Sequence, residues 1–450
     1  MAGSVPTEFS ATDASGVPDI HAMIRDVGME LGQEHQDWCV EVWSQGATFA
    51  VVPGQMALKG MGMIAARKIK MHEQIVTIPK ALVFSTDSIL PEFKKRYAKL
   101  KVHALLAFAL ACEKSKASDR TRKWIKTWPT LKEFQTSMPI FLDSKYRRPL
   151  VISADDDNKG FCLLPPAIGG VWIDSAGKFE TEFASAYMLP KQETRMKRDL
   201  TAMNGFASDQ EISLKYNLGS NDLLTWMWLI VYTRSFYYDM PLRSRPKVLN
   251  EDKMCLCPFV DYFNHAEKGC KVAYNDEGFT VTADRDYEKG DEVMISYGAH
   301  NNDLLWTDYG FLLRDHSSDG ICVDAWMLDP CTGIAEPETR RMLEDAGYWR
   351  NYIIGNDGPC YRTEMAIRTQ ILNREHWNCL VQGEEIPVSE DNYDRDAREF
   401  LREKVLKPCI NTAKIAQMGI EAMSSQLSPT MSRFALERWK QIQVMVEKCL

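Results

Sequence analysis

The sequence has few of the residues that build metal and disulfide sites. Its 450 residues include only 8 histidines, and no second histidine lies near His265 at the spacing of a zinc site. Twelve cysteines are present, but none belongs to a C-x-x-C pair, and the closest two, Cys255 and Cys257, are separated by one residue. We therefore expect free thiols, no metal ion, and a cytoplasmic or nuclear protein.

Long apolar runs and an excess of positive charge are also missing. The most apolar stretch, 223–232, is about half of the ~20 residues that a membrane-spanning helix needs, and residues 1–20 contain no apolar signal segment. The net charge of −8 disfavours a surface built to follow nucleic acid. Two short basic runs, 94–96 and 243–247, are weak candidates for nuclear import signals. We expect a monomer with neither a membrane nor a nucleic-acid partner.

The signature motifs of several enzyme classes are absent as well. The sequence contains no G-x-S-x-G, no P-loop and no H-E-x-x-H, so a hydrolase or an NTPase is not indicated. Gly60-x-Gly62 lacks the third glycine of a dinucleotide fingerprint and precedes a predicted strand. By itself this pair of glycines indicates a tight turn.

What is present is a β-rich part, a helical interruption and a helical tail. The alternation over 279–283 predicts a strand after a hairpin turn at 275–278, and 293–297 indicates another strand. The apolar stretch within 221–238 predicts a helix that is buried on every side. Near the C-terminus, apolar residues at helical spacing predict an amphipathic helix that carries Ala435, Trp439, Ile442, Val446 and Cys449.

Two groups of residues could carry chemistry. The run Asp261-Tyr262-Phe263-Asn264-His265 places donors and acceptors that suit a polar ligand around two aromatic rings, although such an asparagine also caps turns. Further along, Tyr297-Gly298 ends a predicted strand, and Asn302 precedes Tyr309-Gly310-Phe311. A single aromatic residue at a strand end usually packs in a core, so the significance of these groups depends on their combination.

Taken in order, these groups resemble the SET-domain methyltransferases of the Rubisco large-subunit methyltransferase-like group. The resemblance covers roughly residues 45–315 and depends on four matches: Gly60-x-Gly62 with the strands after it, Thr233-Arg234-Ser235-Phe236 as a variant of S-R-x-F, Asp261-x-x-Asn264-His265, and Tyr297-Gly298 with Asn302 and Tyr309-Gly310-Phe311. One departure is Lys59, which stands where the group often has an acidic residue. A carboxylate contact from that position would therefore be lost, whereas backbone contacts would survive.

The resemblance implies an α+β fold. It consists of a SET-type β fold with a knot-like crossing of its C-terminal segment, a helical insert that interrupts it, and an all-helical C-terminal domain. The split SET domain would comprise 46–100 and 250–316, the insert 101–249, and the C-terminal substrate-binding lobe 317–450, after a loose N-terminal arm over 1–45. Three sequential domains are the alternative that the order of strands and helices leaves open.

By the same resemblance the cofactor is S-adenosylmethionine. The loop Lys59-Gly60-Met61-Gly62 would contact it through the backbone, because glycine permits close approach. Arg234 would bind its carboxylate, and Asn264 with His265 would hold its amino group and adenine. The other candidates are Asp261 and Phe311 at the cofactor, Tyr297 as the residue that orients the incoming amine, and Tyr274 as a residue that lines the lysine channel.

The implied reaction is methyl transfer to a lysine side chain of a non-histone protein, which would bind through the SET cleft and the C-terminal lobe. A free lysine has a pKa of ~10.4, so a neutral amine at pH 7 costs roughly 4–5 kcal/mol. Burial in an aromatic channel lowers this pKa. Three alternatives stay open: histidine methylation on the same fold, a SET module that binds without catalysis, and a small-molecule biosynthetic enzyme.

Overall fold

The structure is a computed structural model that divides into two compact units. It describes residues 20–28, 31–56, 59–116, 118–151, 160–180, 187–208, 211–212, 216, 218, 221–239, 253–386 and 390–450. The first and second units consist of residues 1–131 with 196–299 and of residues 132–195 with 300–450, respectively. The predicted domain boundaries and the knot-like crossing stay predictions.

The first unit contains helices from residue 20 onward. Its described helices are Ile20–Asp26, Gln33–Ser44, Pro91–Arg96, Val102–Lys116, Asp119–Lys126, the later part of Met188–Ala207, and Asn221–Arg234. The first two correct the prediction of a loose arm over 1–45, of which residues 1–19 and 29–30 lie outside the described residues. Trp38, Cys39 and Val42 are buried on the second helix. These three residues are too few among charged neighbours to produce a clear apolar period in the sequence.

Antiparallel sheets form the β part of the first unit. Their strands, in sheet order, are Thr48–Phe49, Gln74–Pro79, Gly278–Thr282 and His265–Tyr274; Glu292–Val293, Gly60–Ala65 and Val51–Met56; and Ser235–Tyr237, Met254–Leu256 and Phe84–Ser85. The predicted hairpin turn at 275–278 is confirmed, because Asn275 and Gly278 exchange backbone hydrogen bonds of 2.9 and 3.3 Å. The β part therefore brings together strands from both sides of the helical interruption.

The helix that carries Arg234 is shorter than the sequence predicts. The helix expected over 221–238 ends at Arg234, and Ser235–Tyr237 pairs instead with Met254–Leu256 as an antiparallel strand. The predicted burial on every side is confirmed, because five consecutive residues, Met227 to Val231, are 0% exposed. The pairing strand lies far along the chain, so the local pattern could not reveal the end of the helix. Arg234 consequently stands at a helix–strand junction.

The second unit is mainly helical. Its described helices are the main part of Leu131–Ser137, Pro166–Gly169, the start of Met188–Ala207, Asn302–Leu304 with the π-helical turn Leu305–Tyr309, Asp324–Met327, Pro337–Asp345, Tyr361–Arg368, Arg374–Gln382, Glu390–Phe400 with the π-helical Leu401–Leu406, Lys407–Ala422, and Pro429–Glu447. Its short strands are Leu150–Val151 with Gly160–Phe161, Trp172–Ile173 with Phe179–Glu180, and the sheet of Gly320–Cys322, Ile353–Gly355 and Gly358–Pro359. This last sheet corrects the expectation that 317–450 is purely helical; its strands are too short for an alternating pattern.

The C-terminal helix has the apolar stripe that the sequence predicts. Ala435, Trp439, Ile442 and Val446 are all buried on Pro429–Glu447, and this helix packs along Lys407–Ala422. Cys449, which the sequence also placed in the stripe, lies beyond the end of the helix and is half-buried. The stripe is therefore part of the core of the second unit.

Three further findings concern the chain as a whole. All twelve cysteines are free thiols. In the part of the chain that the structure describes, no helix is long and apolar enough to cross a membrane. Of the two basic runs, 94–96 lies in the helix Pro91–Arg96, and 243–247 lies outside the described residues.

Candidate active site

A glycine-containing hairpin forms one edge of the candidate site in the first unit. Its strands Val51–Met56 and Gly60–Ala65 are antiparallel, with Met56 opposite Gly60. Gly60 has a φ of +77°, a left-handed conformation that favours glycine. Of the described residues, none comes within 4 Å of a Cβ built at Gly60, so this turn presents an open backbone surface.

The second glycine of the hairpin lies against Asn264. A Cβ built at Gly62 would come within 2.6 Å of Asn264 Nδ2 and 3.3 Å of Glu292 Oε1. Any larger residue at Gly62 would therefore push the asparagine amide aside. Met61, between the two glycines, is half-buried and pairs with Gln55.

Asn264 is held by the segment that contains Glu292. Its Nδ2 donates to Glu292 Oε1 at 2.9 Å, and its backbone carbonyl accepts from Ile295 N at 3.0 Å. The other carboxylate oxygen of Glu292 accepts from Lys59 Nζ at 2.7 Å. Lys59, Glu292 and Asn264 thus form a continuous chain of hydrogen bonds along the hairpin.

Tyr297 is fixed against His265 and Phe263. Its ring stacks on His265 with centroids 5.1 Å apart, its backbone N–H donates to His265 Nδ1 at 3.1 Å, and its hydroxyl donates to the Phe263 carbonyl at 2.6 Å. The strand predicted at 293–297 is shorter than expected, since regular pairing covers Glu292–Val293 and Tyr297 bonds to a side chain. The hydroxyl donates its proton, so its lone pairs can accept from a substrate amine.

Arg234 and Asp261 interact electrostatically. Burial raises the pKa of the Asp261 carboxyl to about 6, and this rise is opposed by the positive charge of Arg234 and by the indole N–H of Trp124. The Trp124 Nε1–H donates to Asp261 Oδ2 at 3.2 Å. Arg234 Nη1 also donates to Thr233 Oγ1 at 3.0 Å. The guanidinium thus stands at the end of its helix, where its positive charge favours the ionised form of Asp261.

Tyr274 packs in an aromatic group at the other end of the strand His265–Tyr274. Its ring centroid lies 5.3 Å from that of Tyr238 and 5.5 Å from that of Phe279. The ring centroids of Phe236 and Phe279 are 6.0 Å apart. The Tyr274 hydroxyl accepts from the backbone N–H of Asp239 at 2.9 Å. We call Phe236, Tyr238, Tyr274 and Phe279 the aromatic cluster. The role of Tyr274 in transfer stays a prediction.

Phe311 belongs to the second unit, where it contacts Tyr309 with ring centroids 6.2 Å apart. Asn302 of the same unit is 1% exposed. Its side chain donates to the Leu313 carbonyl and to Gln441 Oε1 at 2.9 and 3.0 Å and accepts from Leu313 N at 2.8 Å. These partners of Asn302 lie in its own unit, and a cofactor contact by Phe311 stays a prediction.

The first unit thus brings together most of the predicted cofactor residues: Lys59, Gly60, Met61, Gly62, Asn264, His265 and Tyr297 around the hairpin, and Arg234 with Asp261 beside them. The set offers an open glycine turn, a guanidinium, an amide and a stacked aromatic pair. These groups fit a ligand that has a carboxylate, an ammonium group and an aromatic ring. Among the described residues no group of three or more His, Cys, Asp or Glu side chains could hold a metal ion.

Sequence reasoning missed Glu292 and underrated Trp124. Glu292 follows the turn at 288–291 and has no motif of its own; its contacts depend on the register that places it opposite Ile64. Trp124 lies within the predicted helical insert, and only its indole contact with Asp261 connects it to the site. A polar residue in the first position of a short strand was the only available signal for Glu292.

Comparisons with known sequences agree with this arrangement. The SET domain family model matches residues 60–298, more than half of the chain. Ribosomal lysine N-methyltransferase set11 of Schizosaccharomyces pombe is 30% identical over 175 residues, which cover 39% of this chain and 43% of that relative. SET domain-containing protein 4 of Homo sapiens is 23% identical over 366 residues, which cover 78% of this chain and 76% of the relative.

The fold itself matches a solved structure. The crystal structure of the SET domain of LSMT bound to MeLysine and AdoHcy superposes with a TM-score of 0.54 at 16% sequence identity, and the match covers 93% of this chain and 92% of that one. At this identity the similarity establishes the fold.

Proposed function

This chain belongs to the SET domain family, and we propose that it transfers a methyl group from S-adenosylmethionine to a lysine side chain of a protein. The observation that carries the proposal is the arrangement of Gly62, Asn264, His265 and Tyr297. Gly62 lies against the Asn264 amide, Asn264 donates to Glu292, and the Tyr297 N–H donates to His265. A site with this combination of open backbone, amide and tyrosine hydroxyl can bind a charged cofactor and orient an amine.

The relatives support lysine as the acceptor. Two relatives, one at 30% and one at 24% identity, are named ribosomal lysine N-methyltransferases, and the solved fold relatives are bound to lysine, methyllysine or AdoMet. The set11 match spans 43% of that relative, and the labelling experiment below tests whether the substrate is a ribosomal protein. A non-histone protein substrate is consistent with these names.

Cofactor binding is assigned to groups of the first unit. The backbone at Lys59–Gly62 would lie against the cofactor, since glycine allows close approach. Arg234 would form a charge-assisted hydrogen bond with the amino-acid carboxylate. The Asn264 amide would accept from the ammonium group, and the His265–Tyr297 pair would bound the site on its aromatic side.

Transfer needs a neutral amine that is aligned with the methyl group of the cofactor. The sulfonium of the cofactor would supply this methyl group as the electrophile. Tyr297 would accept a hydrogen bond from the amine, because its own proton is engaged by the Phe263 carbonyl 2.6 Å away. This contact fixes the direction of the nitrogen lone pair and contributes orientation. Proton release to water suffices to complete the step.

The aromatic cluster is the candidate channel for the lysine chain. Four rings that contact one another offer an apolar path, and desolvation there would lower the pKa of the ammonium. Asp239, whose backbone N–H binds Tyr274, lies at its edge and pairs with Lys253 at 2.7 Å. An acidic group at the entrance suits a cationic side chain.

Histidine methylation is the second candidate, because relatives named actin-histidine N-methyltransferase also match at 21% identity. The same cofactor site would serve either acceptor. Location in the cytoplasm or nucleus, a monomeric state, and substrate contact through the C-terminal lobe remain our working assumptions.

The test uses the full chain with tritiated-methyl S-adenosylmethionine and a cell lysate, followed by mass spectrometry of the labelled protein. We expect label on a lysine ε-nitrogen that disappears with Tyr297→Phe and persists with Tyr287→Phe. Tyr287 is the matched control, since its hydroxyl also makes a 2.6 Å hydrogen bond, to Asp284. Label on histidine would favour the second candidate, and no label in any fraction would contradict the proposal.

A further inference from the structure

Glu292 differs from the other surface carboxylates of its region in what it contacts. The nearby pair Lys68–Glu288 is exposed on both sides, at 57% and 67% of the side chains. The Glu292 side chain is only 19% exposed, and each of its oxygens has a separate partner, Lys59 Nζ at 2.7 Å and Asn264 Nδ2 at 2.9 Å. A surface ion pair needs only the first of these contacts.

The second contact fixes the orientation of the Asn264 amide. An ionised carboxylate only accepts hydrogen bonds, whereas an amide has a donating and an accepting end. Glu292 therefore requires Nδ2 on its own side and leaves Oδ1 as the end that can accept from a ligand. Gly62 leaves room for this amide, because a Cβ at that position would lie only 2.6 Å from Nδ2.

Lys59 holds the carboxylate in place from the outer side. Its side chain is 52% exposed, so solvent screens the pair and the pair alone contributes little to stability. Its geometric effect is larger: one oxygen of Glu292 is taken by Lys59, which leaves the other for Asn264.

We propose that Glu292 is a positioning residue for cofactor recognition, which acts by presenting the acceptor end of the Asn264 amide to the cofactor ammonium group. The inference rests on the proposed function and adds a residue to the same site. The proposal also accounts for Lys59, which stands where related sequences often have an acidic residue. Here Glu292 of the neighbouring strand supplies the carboxylate, and Lys59 pairs with it.

The test compares three changes by calorimetry with two ligands. S-adenosylhomocysteine has the ammonium group, whereas 5′-methylthioadenosine lacks the whole amino-acid part. The amide of Glu292→Gln can itself donate a hydrogen bond. This variant should bind S-adenosylhomocysteine about tenfold more weakly than wild type, and its affinity for 5′-methylthioadenosine should stay within about twofold of wild type. KM for S-adenosylmethionine should rise while kcat stays within about twofold. Glu288→Gln, the matched control, should change the affinity for neither ligand.

The third change, the charge swap Lys59→Glu with Glu292→Lys, separates positioning from simple pairing. It restores an ion pair and hence the local fold, but the ammonium group introduced at position 292 would donate to the Asn264 amide and turn it around. We expect affinity for S-adenosylhomocysteine to stay low in the swap. Recovery to the wild-type value, equal weakening of both ligands, or unchanged binding by Glu292→Gln would each overturn the inference alone. A wild-type protein that binds no S-adenosylhomocysteine would overturn the proposed function and the inference with it.

Discussion

Asn264 and Asn302 stand in two matched positions of one sequence pattern, yet the structure uses their amides differently. Asn302 is 1% exposed and its side chain is saturated by Leu313 and Gln441. Asn264 is half-buried, and its described side-chain bond, to Glu292, engages the donor end of the amide. Asn302 therefore stabilises the second unit, whereas Asn264 can bind a ligand.

The charged groups of the two units differ in the same way. Arg438 is fully buried and bonds to Asp303 at 2.7 Å and Asp319 at 2.5 Å within the second unit. Arg234 of the first unit is half-buried beside Asp261. Arg438 thus belongs to the core of the second unit, whereas Arg234 is the candidate for binding an anion.

Removal of the buried arginine should give the largest effect. Arg438→Met leaves two carboxylates in the core without their cation, and breaking a buried pair costs about 3–5 kcal/mol. We expect a loss of this size in the free energy of unfolding, measured in urea. Arg433→Met on the same helix is the control, since Arg433 is exposed. Equal stability of the two variants would show that the cluster is not structural.

Tyr297→Phe should affect turnover more than binding. The change keeps the ring that stacks on His265 and deletes the hydroxyl. Loss of one positioned hydrogen bond in the transition state costs about 2.7–4 kcal/mol, or roughly 10²–10³ in kcat. Steady-state kinetics and S-adenosylhomocysteine titration on the same preparation check this. A kcat within about threefold of wild type would make Tyr297 a packing residue and shift attention to Tyr274.

Asn302→Ala should sharpen the comparison between the two asparagines. It removes the side-chain acceptor of the Leu313 N–H, while the Leu313 carbonyl keeps Gln441 as a donor; loss of the hydrogen bonds of a buried amide costs about 1–3 kcal/mol. Asn264→Ala should cost less in stability, because its site is open to water. Thermal unfolding midpoints of the two variants measure this difference. A larger loss of stability in Asn264→Ala than in Asn302→Ala would contradict the assignment of Asn302 to structure and of Asn264 to binding.

The pH dependence of stability should identify Asp261. Its pKa of about 6 in the folded protein lies above the ordinary value of 3.8, so the folded state binds more protons between these values and stability falls as pH rises through 6. Asp261→Asn lacks this loss. We expect the free energy of unfolding of Asp261→Asn, relative to that of wild type, to be about 1–2 kcal/mol higher at pH 8 than at pH 4, after allowance for solvent screening. A constant difference between the two proteins would refute the raised pKa.

Much of the fold and site was predictable because some constraints are local. The turn at 275–278, the buried helix before Arg234 and the C-terminal stripe each follow from a short pattern, and all three are confirmed. The ordered motifs around Asn264 and Tyr297 predicted a shared site through a family resemblance, and direct contacts join those residues.

The remainder depends on long-range contacts that no local pattern encodes. Helix Asn221–Arg234 ends where a distant strand pairs with Ser235–Tyr237, and Glu292 reaches Asn264 only through sheet register. The different burial of Asn264 and Asn302 likewise results from packing. Sequence reasoning identified both asparagines and could not assign one to binding and the other to structure.

The most direct test of the account is calorimetric titration of S-adenosylhomocysteine into wild-type protein and Asn264→Ala at matched folded fraction. The account predicts micromolar-or-tighter binding by wild type, weakened by about 1–3 kcal/mol when the amide is removed, with the unfolding midpoint nearly unchanged. Equal affinity for the two proteins would contradict it and remove Asn264 from the cofactor site.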